Sequence, residues 1–273
     1  MSTRGRTFPE LFAEALNRLA DPMPHQRMGA VYTLETLAEA HPAQLSPIVD
    51  VLCTYARSHG EPEPSLQRNT LSMLAGHLRP GPRFWPYQRV DLTGARLTGL
   101  DLADCHVREL VLDRAVIAGA SQLQRLSVAG PMAARQVTFG GDVWLEHAAI
   151  GGEARFDGAS FRADVWCGGA RFRDAVSFAA ATFDGHAWFS RCEFDGSVEF
   201  AEAVFRRSAG FRGAMARGPV GMTGTTFLGP ARVSRLGESW NVAGPGWGVV
   251  VDPDNESVGQ LLWLGAVVHD SPR

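Results

Sequence analysis

The chain has no Lys; all 26 of its basic residues are Arg. That choice says little about chemistry, but the charge balance says more. A formal charge of −3 over 273 residues supplies no general attraction to nucleic acid or to an anionic membrane. Cysteine is scarce too. Cys53, Cys105, Cys167 and Cys192 lie far apart, with no CxxC pair and no His set beside them. This argues against a zinc site or a disulfide framework and suits a reducing cytoplasm. No apolar run approaches the ~20 residues of a membrane-spanning helix. The longest near the C-terminus is LLWLGAVV (261–268), and the opening MSTRGRTFPE lacks a hydrophobic signal core. A soluble, cytoplasmic protein without membrane contact is expected.

Catalytic signatures are also missing. The sequence contains no P-loop, GxSxG, HExxH or dinucleotide fingerprint. Its eight His are scattered, and His147 and His186 have no Cys or acid at a ligand or triad spacing. No catalytic residue, metal or cofactor is expected, and the chain reads as a non-enzyme.

What is present begins with helices. Phe8, Leu11, Phe12, Ala15, Leu16 and Leu19 keep helical spacing until Asp21-Pro22 and Pro24 interrupt it. Met28, Val31, Leu34, Leu37 and Ala38 make a second helix, stopped before Pro42. Ile48, Val51, Leu52 and Tyr55 follow Pro47 as a third, and Leu66 to Leu78 suggest a fourth. Four short helices over residues 1–80 should stack as two antiparallel pairs, in the manner of a HEAT repeat. Residues 81–88 then read as a linker.

From residue 92 a different rhythm takes over. Large apolar residues recur five apart at 92, 97, 102, 107, 112 and 117, and thereafter in alternating steps of six and five. In FDGHAWFSRCEFDGSVEF the Phe fall at 183, 189, 194 and 200. Neither a helix nor a simple strand has this period. Two residues before each large residue comes a mostly small apolar one, such as Ala159, Val165, Ala170 or Val176. The reading is a solenoid with four faces per coil, one unit per face, in which each unit sends one small and one large residue inward. Four units make a 22-residue coil after an opening coil of 20, and Trp144, Trp166 and Trp188 repeat the 22-residue spacing independently. Nearly seven coils over 89–235 would make a rod of about 33 Å at strand spacing.

The units DLTGA (91–95) and DLADC (101–105) resemble the A(D/N)Lxx signature of the pentapeptide-repeat family, and FDGASF, FRDAVSF and FDGHAWF resemble its Phe-centred variant. The resemblance covers residues 89–235, and the helical opening is similar to a segment that precedes such repeats in some bacterial members. It implies a mainly β fold, a right-handed quadrilateral β-helix behind a small helical module. The six-residue steps depart from the family's strict five, and bulged alternate corners are the expected accommodation.

Such a rod has two open ends. The helical module is placed to cap the first, and residues 236–273, with Trp240, Trp247 and Trp263, to cap the second or bury it in a homodimer. Stepping outward positions by 22 gives two charged columns, Arg162–Asp184–Arg206 and Arg173–Asp195–Arg217, expected to be ladders of surface ion pairs. It also places Trp144, Trp166 and Trp188 outside, where they either flatten onto neighbours or form a protein-binding stripe.

A non-catalytic protein–protein interaction scaffold with an unidentified protein partner is therefore the leading functional reading. The resemblance implies a second one, a DNA-mimicking binder of a type II topoisomerase such as DNA gyrase. Mimicry needs a dominant negative surface, whereas residues 85–235 hold 16 acidic residues against 17 Arg.

Overall fold

The computed structural model describes residues 6–58 and 64–228, together with the backbone of strands at 231–234, 242–243, 247–252 and 255–263. Its helices are α1 (Phe8–Leu19), α2 (Pro24–Ala40), α3 (Leu45–Arg57) and α4 (Pro64–Leu78), with a 3₁₀ turn at Pro42–Gln44. Glu10 accepts from the Thr7 N–H at 2.8 Å and closes the start of α1, while Pro24 opens α2 where no N–H is needed. Leu34, Ile48, Val49, Leu52, Leu74 and Leu78 are buried between the helices. No helix among the described residues is long and apolar enough to cross a membrane.

The rest is a four-sided parallel solenoid. Strands of two or three residues stack in four separate sheets, each residue above its equivalent one coil earlier. The register starts at 20 residues (Arg89↔Glu109) and settles at 22 (Phe161↔Phe183, Phe183↔Phe205). The small and large residues assigned to the interior lie inside. Their Phe rings form ladders, with centroids 4.7 Å apart for Phe161–Phe183 and 4.5 Å for Phe183–Phe205. The four faces are numbered below by the order in which one coil visits them. The fourth has six strands, so about six turns are complete. A seventh turn has its first three faces but no fourth-face strand among the described residues, in keeping with the nearly seven coils counted from the sequence.

The six-residue steps are absorbed at alternate corners. The corners inside five-residue steps are tight turns, in which the carbonyl of the large inward residue accepts from the N–H three residues on, as in Ala181 N–H to Phe178 O at 3.0 Å. One residue of each, such as Ala180 or Glu202, takes a positive φ. The other corners carry the extra residue and lie flat on the corner below. A Cβ at Gly185 would come within 2.4 Å of the Ala163 backbone, which explains glycine there.

The helical module closes the first end. Gln67 Nε2 donates both to Ala56 O in α3 (2.7 Å) and to Arg96 O in the first coil (3.0 Å), and Arg79 Nε donates to Ala103 O at 2.8 Å. Residues 81–88 are more than a connection. Trp85 is buried and stacks on His77 of α4 at 4.0 Å. At the far end the strand Val242–Ala243 adds to the first face, so parallel stacking extends past residue 235. Strands Trp247–Asp252 and Asn255–Trp263 form a hairpin that pairs antiparallel with Ala231–Ser234 and lengthens the third face to nine strands. Trp240 and residues 264–273, part of the segment read as a cap, lie outside the described residues.

A candidate binding face

The third face is where the aromatic row falls. Within each unit the flanking residues point inward, as Val143 and Leu145 do around Trp144, and the middle residue must then face out. Stepping by one coil gives the outward column Asp101, Gln122, Trp144, Trp166, Trp188 and Gly210, all in register. The three indoles are half-buried. Trp166 and Trp188 lie 6.1 Å apart at an angle of 31°, and the His186 ring stacks on Trp188 at 5.7 Å. Trp188 leans over the next coil: a Cβ on Gly210 would be 2.4 Å from its ring. The rings lean onto neighbours and still present a half-buried aromatic strip.

A depression of about 470 Å³ beside Trp144 is lined by Gln122, Gln124, Arg125, Glu146 and His147. A second, of about 500 Å³, lies between α4 and the first coils and shares Gln122 with it. The row thus continues as a concave track towards the helical module. His186 Nδ1 and Gln124 Oε1 are buried beside this track without a hydrogen-bond partner among the described residues. Gly210 and Gln122 escaped the sequence reading, although stepping the Trp column one coil each way reaches both, and His186 was weighed there only as a ligand or triad residue.

The charged columns form only half of their rungs. Arg206 pairs with Asp184 at 2.9 Å and Arg217 pairs with Asp195. Arg162 and Arg173, one coil below those carboxylates, make no ion pair among the described residues. Other columns do pair, notably Arg125 with Asp104 through two bonds of 2.5 and 2.7 Å. The side-chain bonds from Arg125 hold the Asp104 carboxyl below its usual range.

The cysteines sit in the core. Burial pushes the Cys105 and Cys192 thiols up to about 12 and Cys53 up to about 11, and raises Cys167 well above the ordinary value. A thiol that stays protonated is a poor nucleophile. Among the described residues, Glu35, Glu39 and His77 are close enough together to share a ligand. Their geometry is that of an ion-pair cluster: His77 Nε2 lies 2.7 Å from Glu35 Oε1, and Arg83 bonds both carboxylates at 2.7 and 2.5 Å. Arg83 already fills the space between the acids, and the cluster ties α2 and α4 to residues 81–88.

Four stacked parallel sheets, inward Phe ladders and a 22-residue register are what pentapeptide units build, and a family model, Pentapeptide repeats (9 copies), matches residues 134–182 and 168–204. These residues belong to the pentapeptide-repeat family. The matched repeats include all of Trp144, Trp166 and Trp188, so the aromatic strip is decoration on a pentapeptide-repeat frame. No curated protein and no solved structure matches the chain.

Proposed function

We propose that the chain is a non-catalytic interaction scaffold whose third face docks a partner protein. The observation that carries this reading is the in-register row Trp144–Trp166–Trp188, half-exposed on a rigid sheet. Large aromatic area held on a stiff frame is what interface anchors require, because little side-chain entropy remains to be lost on binding. Pentapeptide-repeat solenoids are repeat proteins that often serve as interaction scaffolds. The topoisomerase reading has weaker support. It needs a continuous acidic face, and here Asp104, Asp184 and Asp195 are each matched by an Arg one coil on.

Panning a random-peptide display library against the full chain tests the docking face. Binders should lose affinity for Trp166→Ala and keep it for Ser177→Ala, which lies on the first face. Binders indifferent to Trp166 would move the docking site elsewhere. Inhibition of gyrase supercoiling by the purified chain would favour the mimic instead.

A further inference from the structure

The three indoles of the third face share a column but not their neighbours. Where side chains alternate, residues two before and two after an outward one also face outward. Asp142 and Glu146 hold those places around Trp144, Asp164 and Gly168 around Trp166, and His186 and Ser190 around Trp188. None of the six is buried. Trp144 alone is therefore flanked by a carboxylate on each side. Alongside the other two indoles stand Arg162 and Arg191, which make no ion pair among the described residues.

The two carboxylates beside Trp144 have no cation to match them. Asp142 accepts the Asp164 N–H at 3.1 Å but makes no ion pair among the described residues. Glu146 makes no side-chain bond at all among them. One coil on, its column holds Gly168, which brings no side chain to pair with it. The one guanidinium lining the depression of about 470 Å³ beside Trp144 is that of Arg125. It is already held by Asp104 through bonds of 2.5 and 2.7 Å. Trp144 also differs from its companions in packing. Trp166 and Trp188 touch each other and His186 stacks on Trp188, whereas Trp144 has no ring contact among the described residues.

The depression thus offers a half-exposed indole, an unpaired carboxylate and the amides of Gln122 and Gln124, with its own guanidinium spent. Acceptors without donors call for a cation rich in N–H groups. An indole face attracts a cation through its ring quadrupole. Of the two basic side chains, Arg can lie flat on a ring and still donate in its own plane, whereas the Lys ammonium is a point charge. A nucleic-acid strand would bring phosphates against Asp142 and Glu146 instead.

We propose that an arginine side chain of a partner protein seats in this depression, with its guanidinium on Trp144 and its N–H groups on Glu146. The assignment rests on the reading of the third face as the docking surface and names the residue type that anchors there.

The test is an NMR titration that follows the indole N–H signals of the full chain, isotope-labelled at Trp. Trp144 is assigned by the signal lost in Trp144→Phe. A capped Gly-Arg-Gly tripeptide is added through the millimolar range, beside the same peptide with Lys or with citrulline, the neutral isostere of Arg. The Trp144 signal should move before the other indoles, and citrulline should bind about tenfold more weakly because it keeps the shape and loses the charge. Glu146→Gln should weaken the Arg peptide about three- to fivefold, the scale of an exposed ion pair. Glu202→Gln makes the same charge change at an exposed corner between the first and second faces and should leave binding unchanged. The remaining indole signals report that each variant is folded. Equal binding of citrulline or Lys, equal losses in the two Gln variants, or a Trp144 signal that never moves overturns the proposal. Display binders that need Trp166, found together with such a result, would leave the docking face standing and remove only this anchor. Binders blind to Trp166 would remove the docking face itself.

Discussion

Two aromatic columns climb this solenoid with the same 22-residue period, one inside and one outside. The inner second-face ladder runs through Phe139, Phe161, Phe183 and Phe205, with rings nearly parallel and fully buried. The outer row runs through Trp144, Trp166 and Trp188, with rings tilted and half-exposed. Both have the same backbone beneath them, so the difference lies in what the rings face. Inside, Phe161, Phe183 and Phe205 each have rings above, below and beside them, so losing one leaves a cavity. Outside, each indole has protein on one side and solvent on the other. The same repeat therefore builds stability with one column and leaves surface free for recognition with the other.

The comparison breaks first if the inner column is not the stabilising one. Phe183 has stacked neighbours in the coils below and above and an edge-on contact with Phe189 at 6.0 Å. Phe183→Ala should cost about 3–5 kcal/mol in denaturant unfolding, as large buried aromatic truncations do. A near-neutral melt would mean that the ladder is redundant. The frame that holds both columns in register is tested at a corner. Gly185→Ala pushes a methyl group into the Ala163 backbone and should cost about 1–3 kcal/mol, the range of overpacked sites. Unchanged stability would show that the wide corners can open without disturbing the coils.

Much of this was legible in the sequence, because the repeat converts a three-dimensional question into a one-dimensional one. Once the phase is set by Phe183, Phe189, Phe194 and Phe200, every inward position follows, and Trp166 must face out because Val165 and Cys167 face in. What could not be read depends on contacts between coils or between distant segments. Gly185 is required by the Ala163 backbone one coil away, and nothing in a single repeat unit announces that. The pairing of Asp184 with Arg206, and not with Arg162, is decided by side-chain direction. The hairpin that joins Trp247 and Trp263 to the third face arises from antiparallel pairing outside the repeat. Residues 81–88 are rich in Pro and read as a linker, yet the stacking of Trp85 on His77 is a tertiary contact with no local signal. The aromatic row was visible, whereas its contacts with His186 and Gly210 depend on side-chain direction.

The outer row itself can be sharpened. Trp188 covers Gly210 and touches both His186 and Trp166, so Trp188→Ala should cost about 1–2 kcal/mol, while Trp166→Ala should cost less than about 1. Paired thermal melts read this difference, and a loss of several kcal/mol at Trp166 would place it functionally with the core.

The smallest effect separates the two halves of a charged column. Arg206 holds Asp184 at 2.9 Å on an exposed surface, where such pairs contribute about 0–1 kcal/mol. Arg206→Ala should therefore lower stability by at most about 1 kcal/mol, and added salt should shrink that loss because screening weakens the pair in the parent protein. Arg162→Ala removes a guanidinium that makes no ion pair among the described residues and should change nothing measurable. Equal losses for the two variants would mean that Asp184 is shared between both Arg in solution, and that the column is a full ladder after all. That result would also bear on the third face, because Arg162 would no longer count among the unpaired cations that flank the indoles.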